Sequence, residues 1–268
     1  MKKLVIFALI GILCLSAVIF AAPLKGSIQI VGSTSVQPLA EELAQAFMAK
    51  NKNVKIFVQG GGSGAGIKAA MTGTADIGTS SRELEPTETG VVETVIAKDG
   101  IAVIVNKANT VANLTMEQIQ KIYSGAITNW KEVGGADMKI QVVNREAGSG
   151  TRGAFEEIVL KPAKLDNTSN CLVQASTGAV QQTVAITKEA IGYISLGSLD
   201  KAAVKPVTLN GIECTEKNIL AKTYQLQRPF LMLTKTAPTG VVKAFLDWVV
   251  SPEGQKLVGK EYITVIQK

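Results

Sequence analysis

The stretch Asn144-Arg145-Glu146-Ala147-Gly148-Ser149-Gly150-Thr151-Arg152-Gly153-Ala154-Phe155 constrains this chain more than any other. Before it, Ile140-Gln141-Val142-Val143 reads as a short buried strand. After it, Ala154-Phe155-Glu156-Glu157-Ile158-Val159-Leu160 spaces its apolar residues for a helix. The joint between them is built of small residues, two hydroxyls and a guanidinium. The first turn of a helix leaves N–H groups without intrahelical partners and carries the positive end of the dipole. Small residues let an anion reach those groups, Ser149 and Thr151 add donors, and Arg145 adds a planar fork. The pattern suits an oxyanion, and it equally describes an ordinary capped turn.

The device recurs along the chain. Ser27-Ile28-Gln29-Ile30-Val31 alternates as a strand, Gly32-Ser33-Thr34-Ser35-Val36-Gln37-Pro38 follows, and Leu39 to Phe47 has helical spacing. Thr34 or Ser35 can serve as the N-cap, worth about 1 kcal/mol, but three hydroxyls in succession exceed what one cap needs. Val54 to Gln59 is the next strand, and Gly60-Gly61-Gly62-Ser63-Gly64-Ala65-Gly66 is a loop opening into a helix from Ile67. A third hydroxyl loop, Thr79-Ser80-Ser81-Arg82, follows Asp76-Ile77-Gly78, with Arg82 expected to form an ion pair rather than touch a ligand. Ala175-Ser176-Thr177-Gly178 heads a further helix, while Gly100 to Asn106, Ala190 to Ser195 and Arg228 to Thr234 read as strands. Alternating strands and helices predict an α/β fold with mixed, largely parallel sheets.

Several chemistries are excluded by what is missing. The chain has no histidine in 268 residues, which removes Ser-His and Cys-His catalysis and His-ligated zinc. The glycine loop fails as a Walker A motif, because Gly66 is followed by Ile67-Lys68-Ala69, so the lysine is misplaced and the hydroxyl is missing. Ser198-Leu199-Asp200-Lys201 matches Ser-x-x-Lys, a pattern too short to stand without its companions. Aromatic residues make up only 5% of the chain and the 28 basic residues are scattered, so a nucleic-acid surface is not expected. No catalytic residue, metal or cofactor is expected.

Met1-Lys2-Lys3 followed by an uncharged apolar run from Leu4 to Ala22 describes a secretory signal, or an anchor if it stays uncleaved. Export would place Cys171 and Cys214 where a disulfide is permitted, although two buried thiols fit equally well.

Taken together, Gly32-Ser33-Thr34-Ser35, Gly60-Gly61-Gly62-Ser63-Gly64, Asp76 to Arg82 and Arg145 to Arg152 resemble the PstS-type phosphate-binding proteins of bacterial and archaeal ABC importers. The resemblance spans essentially the mature chain, including Ser251-Pro252-Glu253-Gly254-Gln255. It implies a two-lobed, hinged periplasmic-binding-protein fold of type II, with helix-flanked mixed sheets and the ligand in the interlobe cleft. The first lobe would hold residues 26–105 and 225–268, the second 106–224, with 1–22 as leader or anchor. Carried over by motif, the phosphate shell is Thr34, Ser35, Ser63, Ser81, Arg145, Ser149, Gly150 and Thr151. The implied partners are phosphate and a membrane ABC permease, met outside the cytoplasm by a monomer; sulfate, molybdate or another tetrahedral oxyanion is the alternative ligand, and an exported phosphate-ester hydrolase the alternative class. Some family members carry an aspartate where Ser81 aligns, as acceptor for a phosphate proton that sulfate lacks. Another family aspartate orients the arginine; here Ala147 stands beside it, leaving Glu146 as the available substitute.

Overall fold

The computed structural model describes residues 23–266; the expected leader at 1–22 lies outside them. Strand β1 (Lys25–Gly32) buries Ile28 and Ile30 on alternate positions, and helix α1 (Gln37–Lys50) buries Leu39, Leu43 and Phe47 on one stripe. Then come β2 (Asn53–Gly60), α2 (Ser63–Thr72), β3 (Ile77–Ser80) and the long β4 (Val92–Asn106). β5 (Asn113–Leu114), α3 (Met116–Ser124), β6 (Gln141–Arg145) and α4 (Gly150–Phe155) follow. Next are β7 (Cys171–Gln174), α5 (Thr177–Ile186), β8 (Ala190–Ser195), β9 (Val204–Pro206) and β10 (Thr208–Leu209). The described chain closes with α6 (Glu216–Leu220), β11 (Gln227–Thr234), α7 (Gly240–Val249) and α8 (Pro252–Val258).

The main sheet has the order β2-β1-β3-β11-β4-β8-β6-β7, with β9 also on β4. Its outer parts are parallel: β1 with β2 and β3, and β6 with β7 and β8. The join is antiparallel, because β11 runs against both β3 and β4, and β4 runs against β8. β4 belongs to both parts. Its residues from Val92 to Gly100 pair with β11, and those from Ile101 to Val105 pair with β8. The strand is therefore longer than the Gly100–Asn106 run that its hydropathy marks.

Two main apolar cores lie on either side of that join. One gathers Ile28, Leu43, Phe47, Phe230 and Phe245, with Phe47 packed edge-on against Phe245 at 5.3 Å between centroids. The other gathers Ile104, Tyr123, Trp130, Phe155 and Tyr193, where Phe155 and Tyr193 stack at 4.2 Å. The Phe155 ring ties the end of α4 to Tyr193 on β8, which anchors the short helix that Gly150 and Thr151 begin.

Two helix boundaries differ from the sequence expectation. α2 begins at Ser63, so Gly64 and Gly66 are helical rather than parts of a loop. A β-carbon on Gly66 would lie 2.5 Å from the Thr79 carbonyl oxygen, so this glycine serves close packing of α2 on the sheet. α4 begins at Gly150, before the predicted Ala154, and passes at Glu156 into a π-helical turn, Glu156–Leu160. Cys171 and Cys214 are free thiols, and burial pushes the Cys214 thiol up to about 12. Among the described residues, no helix is long and apolar enough to cross a membrane.

Candidate anion site

Helices α1, α2, α4 and α5 all start where the two parts of the sheet face each other, and the hydroxyls stand in or just ahead of their first turns, joined by Ser81 from the end of β3. Ser33, Ser35, Ser63, Ser81, Ser149, Thr151 and Thr177 are all buried. Buried hydroxyls need partners, and all of these but Ser149 find them in one another. Ser35 Oγ lies 2.8 Å from Thr151 Oγ1 and 2.8 Å from Thr177 Oγ1. Ser33 Oγ donates to Ser81 Oγ at 2.9 Å, and Ser63 Oγ lies 3.4 Å from Ser81 Oγ. Contacts from Ser35 to Thr151 and Thr177 bridge the two parts of the molecule, as does the Gly64 amide donating to the Gly148 carbonyl at 3.0 Å.

Arg145 leaves the end of β6 into this cluster and is only 2% exposed. Its Nε and Nη2 donate to the two carboxylate oxygens of Glu146, each at 2.9 Å, which sets the plane of the guanidinium. Glu146 thus takes the orienting role that Ala147 cannot. The remaining donors point inward: Nη1 to Thr177 Oγ1 at 3.3 Å and Nη2 to Thr34 Oγ1 at 3.2 Å. Thr34 Oγ1 also accepts from the Thr177 amide at 3.3 Å.

The motif residues occupy distinct places in this arrangement. Thr34, Ser35, Ser63, Ser81, Arg145 and Thr151 bring polar side-chain atoms together. Gly150 is the point of tightest approach, since a β-carbon there would lie 2.1 Å from Ser63 Oγ and 2.8 Å from Ser81 Oγ. Ser149 spends its side chain as the N-cap of α4, accepting from the Arg152 amide at 3.2 Å. Neither Thr34 nor Ser35 caps α1, which has no side-chain cap; Ser33 Oγ accepts from the Ser35 and Val36 amides in the turn ahead of it, at 3.2 and 3.3 Å. The preceding glycine makes that possible. Gly32 has φ of +145°, and a β-carbon there would lie 2.3 Å from the Thr79 carbonyl oxygen.

Two members of the cluster are absent from the motif-derived set. Ser33 stands in the first hydroxyl run, but three adjacent hydroxyls look alike until the backbone direction is known. Thr177 begins α5, whose small-residue start is visible in sequence, while its partners Thr34 and Arg145 are distant along the chain. Arg82 does pair as expected, with both Glu88 oxygens at 2.7 Å. That contact holds the Glu88 carboxyl below its ordinary value.

Chemically, the cluster offers many neutral donors, four helix starts and one cation already paired to a carboxylate. Such a site suits a small tetrahedral oxyanion, surrounded by dipoles rather than neutralised by opposite charge. No nucleophile here has a base beside it, and no grouping of acidic or thiol side chains among the described residues could hold a metal.

Comparison with known proteins agrees with this geometry. A family model described as a PBP superfamily domain matches residues 21–253. The phosphate-binding protein PstS of Bacillus subtilis is 34% identical over 238 residues, spanning 87% of this chain and 78% of the relative. PstS of Borreliella burgdorferi is 31% identical over 248 residues, 87% and 88% of the two chains. Among solved structures, a phosphate-bound substrate-binding protein from Clostridium perfringens superposes with a TM-score of 0.84 at 44% identity, covering 90% of this chain and all of that one. An ABC-type phosphate transport receptor from Vibrio cholerae gives 0.74 at 39% identity, covering 89% of this chain and all of that one.

Proposed function

We infer the function from one premise: this chain belongs to the PBP superfamily and, within it, to the phosphate-binding proteins of the PstS kind. It is a solute-binding protein, not an enzyme, that captures inorganic phosphate and delivers it to an ABC importer. The single observation that carries this reading is the convergence of buried hydroxyls, helix starts and the Glu146-oriented Arg145 on one point between the two parts of the sheet.

The two cores are lobes, with residues 26–105 and 225–268 in the first and 106–224 in the second, and they hinge about β4 and β11. The ligand shell is Thr34, Ser35, Ser63, Ser81, Arg145, Gly150 and Thr151, to which we add Thr177; Ser149 contributes by capping α4. The protein works outside the cytoplasm, exported by the segment before Pro23, and meets the permease as a monomer. Phosphate would trade the hydroxyl–hydroxyl contacts for contacts to its own oxygens, and lobe closure would exclude water from them.

One observation favours a second ligand. The carboxylates joined to the cluster through hydrogen bonds, Glu146 and Asp99, are each engaged by an arginine. Ser81 accepts from Ser33 and can rotate its own proton towards an unprotonated oxygen. Sulfate is therefore a competing ligand. Calorimetric titration of the leaderless, anion-stripped protein with phosphate and then sulfate tests both readings. Tight one-to-one phosphate binding supports the receptor, equal or tighter sulfate binding moves it to a broader oxyanion receptor, and no heat or thermal shift with either rejects it.

A further inference from the structure

A second buried arginine lies outside the anion shell, at the place where β4 and β11 join the two parts of the sheet. Arg228 on β11 and Asp99 on β4 have side chains only 1% exposed. Arg228 Nε and Nη2 donate to Asp99 Oδ2 at 3.1 and 2.9 Å, and Ser195 Oγ, at the end of β8, donates to Asp99 Oδ1 at 2.9 Å. The remaining guanidinium arm, Nη1, donates to the backbone carbonyl of Ser81 at 3.1 Å. A continuous run of hydrogen bonds therefore leads from the second core, through the join, to a hydroxyl residue of the anion cluster.

Stability alone is a poor reason for such a pair. Taking two charges out of water costs about as much as their attraction returns, and well-packed apolar side chains do as well or better. What an apolar pair could not do is hold Ser81 from three sides. Its amide donates to Ser63 Oγ at 3.1 Å, its hydroxyl accepts from Ser33, and its carbonyl is held by Arg228. The first two ties come from the first core; only the third refers Ser81 to Asp99 and, through it, to Ser195 across the join.

We propose that Arg228, braced by Asp99, is a positioning residue for the bound anion: it sets the place of Ser81 and ties that place to the relative position of the two lobes. The proposal rests on the phosphate-binding reading above. Arg228 itself does not touch the ligand. It acts through the Ser81 carbonyl, and that separates it from a residue that merely keeps the fold intact or adds positive potential.

The test is a double-mutant cycle read by phosphate titration on the leaderless protein, with unfolding temperatures measured in phosphate-free buffer. The variants are Arg228→Lys, Ser81→Ala and the pair together; lysine keeps the charge but loses the fork. Arg228→Lys is expected to weaken phosphate binding by about tenfold in the wild-type background and by less than about twofold in the Ser81→Ala background. The same loss in both backgrounds, or no loss in either, overturns the proposal while leaving the receptor intact. Failure of the wild type to bind phosphate overturns the receptor reading and this proposal with it. Asp99→Asn, which keeps side-chain volume, repeats the cycle if Arg228→Lys fails to fold, with the same outcomes deciding.

Discussion

Replacing Gly150 with alanine should separate binding from folding in a single atom. The added β-carbon would lie 2.1 Å from Ser63 Oγ, 2.8 Å from Ser63 Cβ and 2.8 Å from Ser81 Oγ. Gly150 belongs to the second core's α4, whereas Ser63 and Ser81 belong to the first, so relief comes from parting the two. A carbon needs about 3.5 Å from its neighbours, which requires an opening of about 0.7 Å against Ser63 Cβ and about 1.4 Å against Ser63 Oγ. Ser35–Thr151 and Ser35–Thr177 at 2.8 Å, and Gly64–Gly148 at 3.0 Å, would then stretch to the edge of hydrogen-bonding range or past it. At about 1 kcal/mol for each bond, the closed form loses about 2–4 kcal/mol. Phosphate affinity should accordingly fall by about 30- to 1,000-fold. Folding should not suffer, because alanine in a helix is favoured over glycine by about 0.5–1 kcal/mol and the opened cleft accommodates the methyl group. Isothermal titration gives the Kd and calorimetric unfolding without phosphate gives the Tm. An unchanged or raised Tm with weakened binding is the expected pair of results. Affinity within about threefold of wild type would show that the lobes do not meet at Gly150 in the bound form, and would refute the closure geometry.

Three further outcomes are expected, two in the anion cluster and one at the Arg82–Glu88 pair beside it. Arg145→Ala removes the site's inward-pointing cation and leaves the Glu146 carboxylate unopposed beside the anion, so phosphate binding should weaken by at least about 100-fold in titration. Thr177→Val keeps shape but removes the hydroxyl that meets Ser35 and accepts from Arg145; titration should show phosphate binding about tenfold weaker, at one to two hydrogen bonds lost. Glu88 is held below its ordinary 4.5 by the hydrogen bond from Arg82, so its contribution to stability is present above that value and is lost as pH falls through the lowered one. The Tm gap between wild type and Glu88→Gln should thus be widest at neutral pH and close in acid; a gap independent of pH counts against the Arg82–Glu88 pair.

What could be read in advance divides along a physical line. Strands and helix starts are local, so the runs around Ile28, Ile30 and Leu39 or before Gly150 announce themselves through periodicity and small-residue joints. Arg82 is read correctly because its partner stands six residues away in the same loop. The choice among Ser33, Thr34 and Ser35 is not local: three adjacent hydroxyls are chemically equivalent, and only the turn after Gly32 points Ser33 at the Ser35 and Val36 amides and Thr34 at Arg145. Thr177 and the Asp99–Arg228 pair depend on segments brought together by sheet order. A one-dimensional pattern carries no term for that. The helix boundary at Ser63 was hidden for a different reason, since glycines that serve close packing look the same as glycines that serve flexibility.

The antiparallel join also governs the order in which the molecule can become itself. β11 lies between β3 and β4 in the sheet, yet it is synthesised after every strand and helix of the second core. Phe230, Met232 and Phe245 of the first core arrive with it and with α7. Until they emerge, β3 and the early residues of β4 have no neighbour between them, and the N-terminal half of the chain lacks the centre of its own sheet. A nascent chain of this topology cannot finish its first unit early, however fast its local helices form. Under the export proposed above, in which the chain would cross a membrane in extended form, that delay would act as a timer: the fold locks only when the late strand slides in.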